Sequence, residues 1–432
     1  MARAANPEAL DRSAVHRTLE AVWHMESAKI VAKLARILRD VGLAEELSQD
    51  ALVAALEQWP VSGIPENPAA WLMATAKNRA IDEWRRLKLV ERKSAVLMQD
   101  AEPPGEWAVE PGRALDQEIA DDVLRLMFVA CHPVLSMEAR VALTLRLVGG
   151  LTTAEIARAF LVSEAAIQQR IVRAKRTLSE ARVPFEIPGV LERAARLDSV
   201  LEVIYLIFNE GYAATGGEQW LRPVLCDEAL RLGRMLAELA PQESEVHGLV
   251  ALMEIQASRN RARVGPDGQP VLLMDQDRAL WDRLLIGRGL AALERARALG
   301  ESLQSYALQA AIAACHAVSP SAADTDWVRI VALYDALAQI APSPIVALNR
   351  AVAVSRAYGA EAALPLVDAL GSEARLSHYH LLPSVRGELL ERLGRHAEAR
   401  LEFERAASLT QNRRERDLLI ERMERCARET SP

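Results

Sequence analysis

The sequence predicts an all-α fold. Half of its 432 residues are hydrophobic but only 4% are aromatic, and Ala, Leu, Arg and Glu crowd every segment, a balance that favours helices. The alternating Val, Ile and Thr runs of strands are almost absent. Helical periodicity runs through most of the chain.

Taken in order, residues 13–90 read as helices with a Pro-rich break, "PVSGIPENP" (60–68). Before the break, "GLAEELSQDALVAALEQW" (42–59) is amphipathic, with Leu47, Ala51, Ala54 and Ala55 on one side. After it, Trp71, Leu72, Ala76, Ala80 and Trp84 alternate with Lys77, Asn78, Arg79, Asp82, Arg85 and Arg86. Residues 98–114 combine acid, Pro and Gly and read as an extended linker. Periodicity resumes at about Asp116 and runs to Arg182, "VPFEIPG" (183–189) makes a second break, and a larger helical region follows Leu191.

That last region repeats itself. "LAELAP" (236–241) returns as "LAQIAP" (337–342), and Gly359 and Gly394 lie 35 residues apart, close to the ~34-residue period of tetratricopeptide repeats. Gly387, Leu390, Gly394, Ala399, Phe403, Ala406 and Leu409 fall where two antiparallel helices need small and large residues. The expectation is a tetratricopeptide-like helical solenoid, with an irregular helical domain as the alternative.

Composition bounds the function. The chain is long enough for two to four domains. Its cysteines, Cys131, Cys226, Cys315 and Cys426, form no CxxC pair, so no disulfide framework, metal or cofactor is expected. No apolar run reaches the ~18 residues of a membrane span and the N-terminus carries no apolar signal core, so the expectation is a cytoplasmic protein. The formal net charge is −7, yet residues 77–93 hold seven bases against three acids and residues 163–182 five against two. Two basic patches in an acidic chain suggest phosphate contacts made with help.

"LTTAEIARAFLVSEAAIQQRIVRAKRTL" (151–178) divides into a short helix, a turn at Leu161–Ser163 and a longer helix. Thr152 or Thr153 can cap the first helix and Ser163 the second, and Ala154, Ile156, Ala157, Ile167 and Ile171 form a small buried seam. This is the pattern of a helix-turn-helix, an ordinary helical hairpin being the alternative. Leu161 stands where the turn often uses Gly. The Trp71–Arg86 helix, with an aromatic body and a basic face, suits single-stranded DNA, although such a segment alone is more often a solvated charged face.

The ordered set "AEELSQ" (44–49), "WLMATAKNRAIDEWRR" (71–86) and "EIARAFLVSEAAIQQRIVRAKRTL" (155–178) resembles the extracytoplasmic-function RNA polymerase sigma factors, over residues 10–182. The long helical extension is similar to that of one subgroup. The resemblance implies sigma region 2 over 10–90, a linker over 91–115 within the polymerase RNA channel with acidic Glu102, Glu106 and Glu110, sigma region 4 over 116–182, and an extension over 186–432. It implies binding to the clamp helices of the polymerase β′ subunit through Glu45, Glu46 and Gln49, and to the β flap. Asn78 and Asp82 would face the −10 strand, the 60–68 loop would hold a flipped base, and Arg85 and Arg86 would hold phosphates. Gln168, Gln169, Val172, Arg173 and Arg176 would read the −35 duplex, Gln pairing with adenine and Arg with guanine.

Two departures stand out: "AAIQQR" replaces a basic contact of the family with Gln168, and Glu46 replaces its usual Asp. The implied function is a sigma factor, not an enzyme, controlled by its extension through contact with the sigma domains or polymerase. The alternative is a helix-turn-helix regulator with a peptide- or ligand-sensing solenoid. Asp275, Asp277 and Asp282 fit no metal or hydrolase spacing and read as helix caps beside a loop or hairpin at 265–277. Cys131–His132, Cys315–His316 and His378–Tyr379–His380 read as structural.

Overall fold

The computed structural model describes residues 12–94, 115–160, 162–214, 220–266 and 268–430. Among these, helices account for nearly all regular structure, as the composition predicts. The chain forms two compact units, residues 1–203 and 204–432. The linker expected at 91–115 falls, over 95–114 with Glu102, Glu106 and Glu110, outside the described residues, as does Leu161 of the expected turn.

The first unit contains α1 (Arg12–Leu38), α2 (Val41–Ser62), α3 (Pro68–Ser94), α4 (Leu115–Ala130), α5 (Met137–Leu147), α6 (Thr153–Phe160), α7 (Glu164–Glu180) and the first part of α8 (Val190–Tyr212). Helix α1 packs on α2 and α3 and also on α4. Its Leu19, Ile30 and Leu34 are fully buried, each contributing about 1.5–3 kcal/mol by leaving water. Local chemistry sets the boundaries. Asp40 caps α2 by accepting from Leu43 N at 2.9 Å, and Asn67 caps α3 by accepting from Ala70 N at 3.0 Å, with Pro68 at the first helical position.

The Pro-rich break is shorter than expected. Helix α2 continues through Pro60 to Ser62 and ends at Gly63, φ 89°. A proline this close to a C-terminus removes one hydrogen bond but leaves little helix beyond it to disrupt. Behind the break, Trp59 is fully buried and meets Trp71 edge-on at 5.6 Å, joining α2 to α3.

Gly150, after α5, has φ +71°, and a Cβ there would lie 2.6 Å from Ser27 Oγ on α1. Only glycine allows both the left-handed turn and this approach. The start of α8 docks on the same unit: Ser199 Oγ donates to Cys131 O at 2.6 Å and Arg196 to Phe128 O at 2.9 Å.

In the second unit α8 is followed by α9 (Pro223–Leu239), α10 (Ser244–Ala257), α11 (Arg283–Leu299), α12 (Ser305–Val318), α13 (Trp327–Ile340), α14 (Pro344–Tyr358), α15 (Ala360–Ala369), α16 (Leu381–Arg392), α17 (His396–Leu409) and α18 (Arg413–Thr430). Sequential neighbours from α9 to α18 pack on one another. The repeated hexapeptide has one local structure. Ala240 (φ −131°, ψ 60°) and Ala341 (φ −136°, ψ 66°) end α9 and α13, and each donates its N–H at 2.8 Å, to Leu236 O and Leu337 O. Gly359 and Gly394 both turn the chain with positive φ between helices, and Gly387 lies against the Phe403 ring. The 265–277 segment carries the expected hairpin: Val264 bridges Pro270, and Val271 N donates to Arg263 O at 2.9 Å. Asp277 caps a single 3-10 turn and Asp282 caps α11.

Candidate nucleic-acid interface

Within 151–180 the two expected helices are present, α6 and α7, separated by three residues in sequence. Thr152 Oγ1 accepts from Glu155 N at 3.2 Å while Glu155 Oε2 accepts from Thr152 N at 2.8 Å, a reciprocal capping box that selects Thr152 as the cap. Thr153 instead donates its hydroxyl to Glu164 at 2.9 Å, tying α6 to the start of α7. Ser163 caps α7 through Ala166 N at 3.2 Å.

Ile156, Ala157, Ile167 and Ile171 are buried as expected, and Ala174 and Leu178 extend the seam. Ala154 is exposed, contrary to expectation, because two residues of helix rotate it about 200° from Ile156. Burying Ile167, Ile171, Ala174 and Leu178 on one side of α7 leaves Gln168, Gln169, Val172, Arg173 and Arg176 exposed on the other. Val172 is 65% exposed. Arg176 is held by Glu180 at 2.7 Å.

On α3, Leu72, Ala76 and Ala80 are buried, and Asn78, Asp82, Arg85 and Arg86 are exposed. Trp71 and Trp84 are half-buried. The spacing 78, 82, 85, 86 places the four on one helical face. Glu83 grips Arg86 through two hydrogen bonds of 2.6 and 2.8 Å, and Arg85 lies 3.7 Å from Asp82. Arg79 reaches Asp50 of α2 at 3.3 Å.

The three residues expected to meet polymerase separate. Glu46 is exposed and Gln49 half-buried, but Glu45 is buried. Its carboxylate accepts from Arg146 Nε on α5 at 2.8 Å and from Lys175 Nζ on α7. Burial pushes the Glu45 carboxyl up, and the charges and hydrogen bonds of Lys175 and Arg146 reverse that and hold it below the usual range. A second buried carboxylate, Asp122 of α4, stands 2.6 Å from Arg125 and 3.5 Å from Arg36 of α1. Here burial dominates and its carboxyl stays above the usual range. Nothing in the spacing of the sequence marked Arg146 or Lys175 as partners of Glu45. All four cysteines are free and buried.

Comparison with known proteins decides the family. Residues 24–89 match the family described as Sigma-70 region 2, and residues 125–178 that described as Sigma-70, region 4. The chain belongs to the extracytoplasmic-function group of the sigma-70 family.

A sigma factor SigK of this group from Mycobacterium sp. (strain KMS) is 27% identical over 156 residues, 35% of this chain and 76% of its own. A probable sigma factor SigI of Mycobacterium tuberculosis is 24% identical over 200 residues, 44% of this chain and 68% of its own. An uncharacterized protein of Rhizobium meliloti is 47% identical over 387 residues, 88% of this chain and 89% of its own. Residues 196–297 match a family of unknown function. The chain is therefore a sigma factor with a helical C-terminal extension, and it binds core RNA polymerase and promoter DNA. A helix-turn-helix regulator acting without polymerase is not favoured, since region 2 is present. Among the described residues no helix is long and apolar enough to cross a membrane.

Proposed function

We propose that residues 10–90 dock on the β′ clamp helices through Glu45, Glu46 and Gln49 and present the exposed face of α3 to the −10 strand. Asn78 and Asp82 face an unstacked base there, and Arg85 and Arg86 hold phosphates. Residues 116–182 meet the β flap and place α7 in the −35 major groove, where Gln168, Gln169, Val172, Arg173 and Arg176 contact base edges and backbone. The protein works as a specificity subunit rather than an enzyme, and the extension, residues 186–432, controls it in cis through the sigma domains or through polymerase.

The observation that supports this reading most is the pairing of two exposed faces, on α3 and α7, with a buried Glu45. Both faces are open to solvent, whereas Glu45, alone of the three expected polymerase contacts, is engaged by α5 and α7. Docking on polymerase then exchanges the Glu45 contacts inside the protein for contacts with the clamp, which frees α7 from α2. This couples polymerase binding to separation of the two DNA readers, in keeping with the acidic chain's need of polymerase to hold DNA.

Run-off transcription with core polymerase tests it. Specific transcripts are expected with polymerase, together with weak binding to promoter duplex without it. Tight, specific duplex binding by the free protein would overturn the reading.

A further inference from the structure

The second unit contains a cleft of about 500 Å³, within the range of small-molecule sites. It opens among α8, α10, α12, α13 and α14 and has a mixed lining. Tyr205, Phe208 and Tyr334 give it ring-bearing walls, and Arg259, Gln309 and His316 give it polar groups.

Arg259 is the informative residue. It is 8% exposed, and no carboxylate pairs with it among the described residues. Its guanidinium donates to Tyr212 Oη at 2.7 Å and to Gln256, but its buried Nε has no partner. Two further arginines neighbour it, neither within ion-pair distance of a carboxylate among the described residues, although the charge of Asp324 acts on Arg278. Arg263 lies 3.5 Å over the Tyr212 ring and Arg278 4.6 Å over the Trp281 ring. Those two are satisfied by carbonyls: Arg263 donates to Tyr212 O, and Arg278 to Ser319 O at 2.8 Å.

His316, 8% exposed, has a buried Nδ1 with no partner. Burial, and then the charges of Arg259 and Arg278, push its pKa down to about 4, so it stands neutral at pH 7 and can still accept or donate a hydrogen bond. Elsewhere in this unit buried charges are paired: Glu254, 1% exposed, holds Arg234 at 2.8 Å and Arg288 at 3.3 Å. Two buried arginines, Arg259 and Arg263, left without a carboxylate at ion-pair distance beside a cleft are an incomplete electrostatic design, because a buried charge is costly without a counter-charge.

We propose that this cleft binds a small organic anion, its acidic group on Arg259 and its flat apolar body against Tyr205, Phe208 and Tyr334. This assigns the extension a ligand of its own and does not depend on how the sigma domains meet DNA.

The test uses full-length protein and two matched probes, anionic 8-anilinonaphthalene-1-sulfonate and neutral N-phenyl-1-naphthylamine, followed by fluorescence titration. Saturable one-site binding of the sulfonate is expected, with the neutral probe and inorganic phosphate each at least about tenfold weaker. Arg259→Gln should weaken the sulfonate about tenfold or more while leaving the neutral probe unchanged. Asn349, an exposed residue of the cleft, allows a second variant whose folding is not at risk. Asn349→Trp should block both probes without changing the melting temperature. Absence of saturable binding, equal affinity for the two probes, tighter capture of phosphate alone, or binding indifferent to Asn349→Trp would each overturn the proposal.

Discussion

Glu45 and Lys175, 130 residues apart in sequence, form a buried ion pair that joins α2 of region 2 to α7 of region 4, and Arg146 completes it from the other side. A carboxylate that receives two cations at such a junction does more than cap a helix. Removing it leaves both cations facing each other in a space shaped for an anion.

Glu45→Gln should therefore loosen the α2–α7 junction. Breaking a buried pair by removing one partner costs about 3–5 kcal/mol, and the low end is expected because Lys175 and Arg146 are 20% and 16% exposed at the side chain and can regain some water. Hydrogen exchange in α7 is the readout: its amides should lose protection while those buried along α1 keep theirs. Equal protection in variant and parent would remove the junction from the account.

The two buried carboxylates of this unit should respond to pH with opposite signs. Glu45 has a lowered carboxyl pKa, so its stabilisation is present above the ordinary value of roughly 4.3 and is lost as pH falls through its lower native value. Asp122 has a raised one, so the native state holds its proton more tightly than the unfolded chain. Its contribution favours folding below roughly pH 3.9 and is lost as pH rises through its native value. In urea melts from pH 3 to 7, the destabilisation by Glu45→Gln should grow with pH, and Asp122→Asn should gain on the parent over the same span. Slopes of the same sign would contradict this assignment.

What was readable in the sequence was local. The Thr152–Glu155 box and the Ser163 cap are fixed by residues three apart, and the Leu47, Ala51, Ala54, Ala55 seam by helical period, so both survive into the structure. Errors arose where a local rule had two outcomes: Pro60 can end a helix or sit in its last turn, and Ala154 can face either way on a short one. The Glu45 cluster is assembled from segments 101 and 130 residues apart, and the Arg259 cleft from five helices. No periodicity registers such meetings, because each partner alone looks like an ordinary solvated charge.

Gly150 offers a steric test of the contact between α1 and the end of α5. Gly150→Ala forces a Cβ to 2.6 Å from Ser27 Oγ and places alanine at φ +71°. The left-handed backbone alone costs about 1–2 kcal/mol, so the total should exceed that in thermal melts. Adding Ser27→Ala, which removes Oγ and leaves Cβ at an ordinary 3.6 Å, should recover only the clash, leaving the backbone share. Full recovery by the second substitution would mean that the turn relaxes to another conformation.

The two candidate DNA faces should fail differently when altered. Arg173→Ala removes a candidate base contact, so it should cost about 1–3 kcal/mol of discrimination at one −35 position and relax the preference there. Arg86 is a candidate phosphate contact, so Arg86→Ala should weaken all promoters alike and reduce the salt slope of binding by about 0.7–0.9. Glu83 makes a sharper version of this test. It grips Arg86 at 2.6 and 2.8 Å, and would compete with phosphate if Arg86 is a phosphate contact. Glu83→Gln should release Arg86, strengthen open-complex formation with polymerase and steepen the salt dependence. If Arg86 held Glu83 only to stabilise α3, the same substitution would slightly lower helix stability and leave the salt slope untouched. Transcription titrated over salt, with parent, Glu83→Gln and Arg86→Ala side by side, separates the two roles.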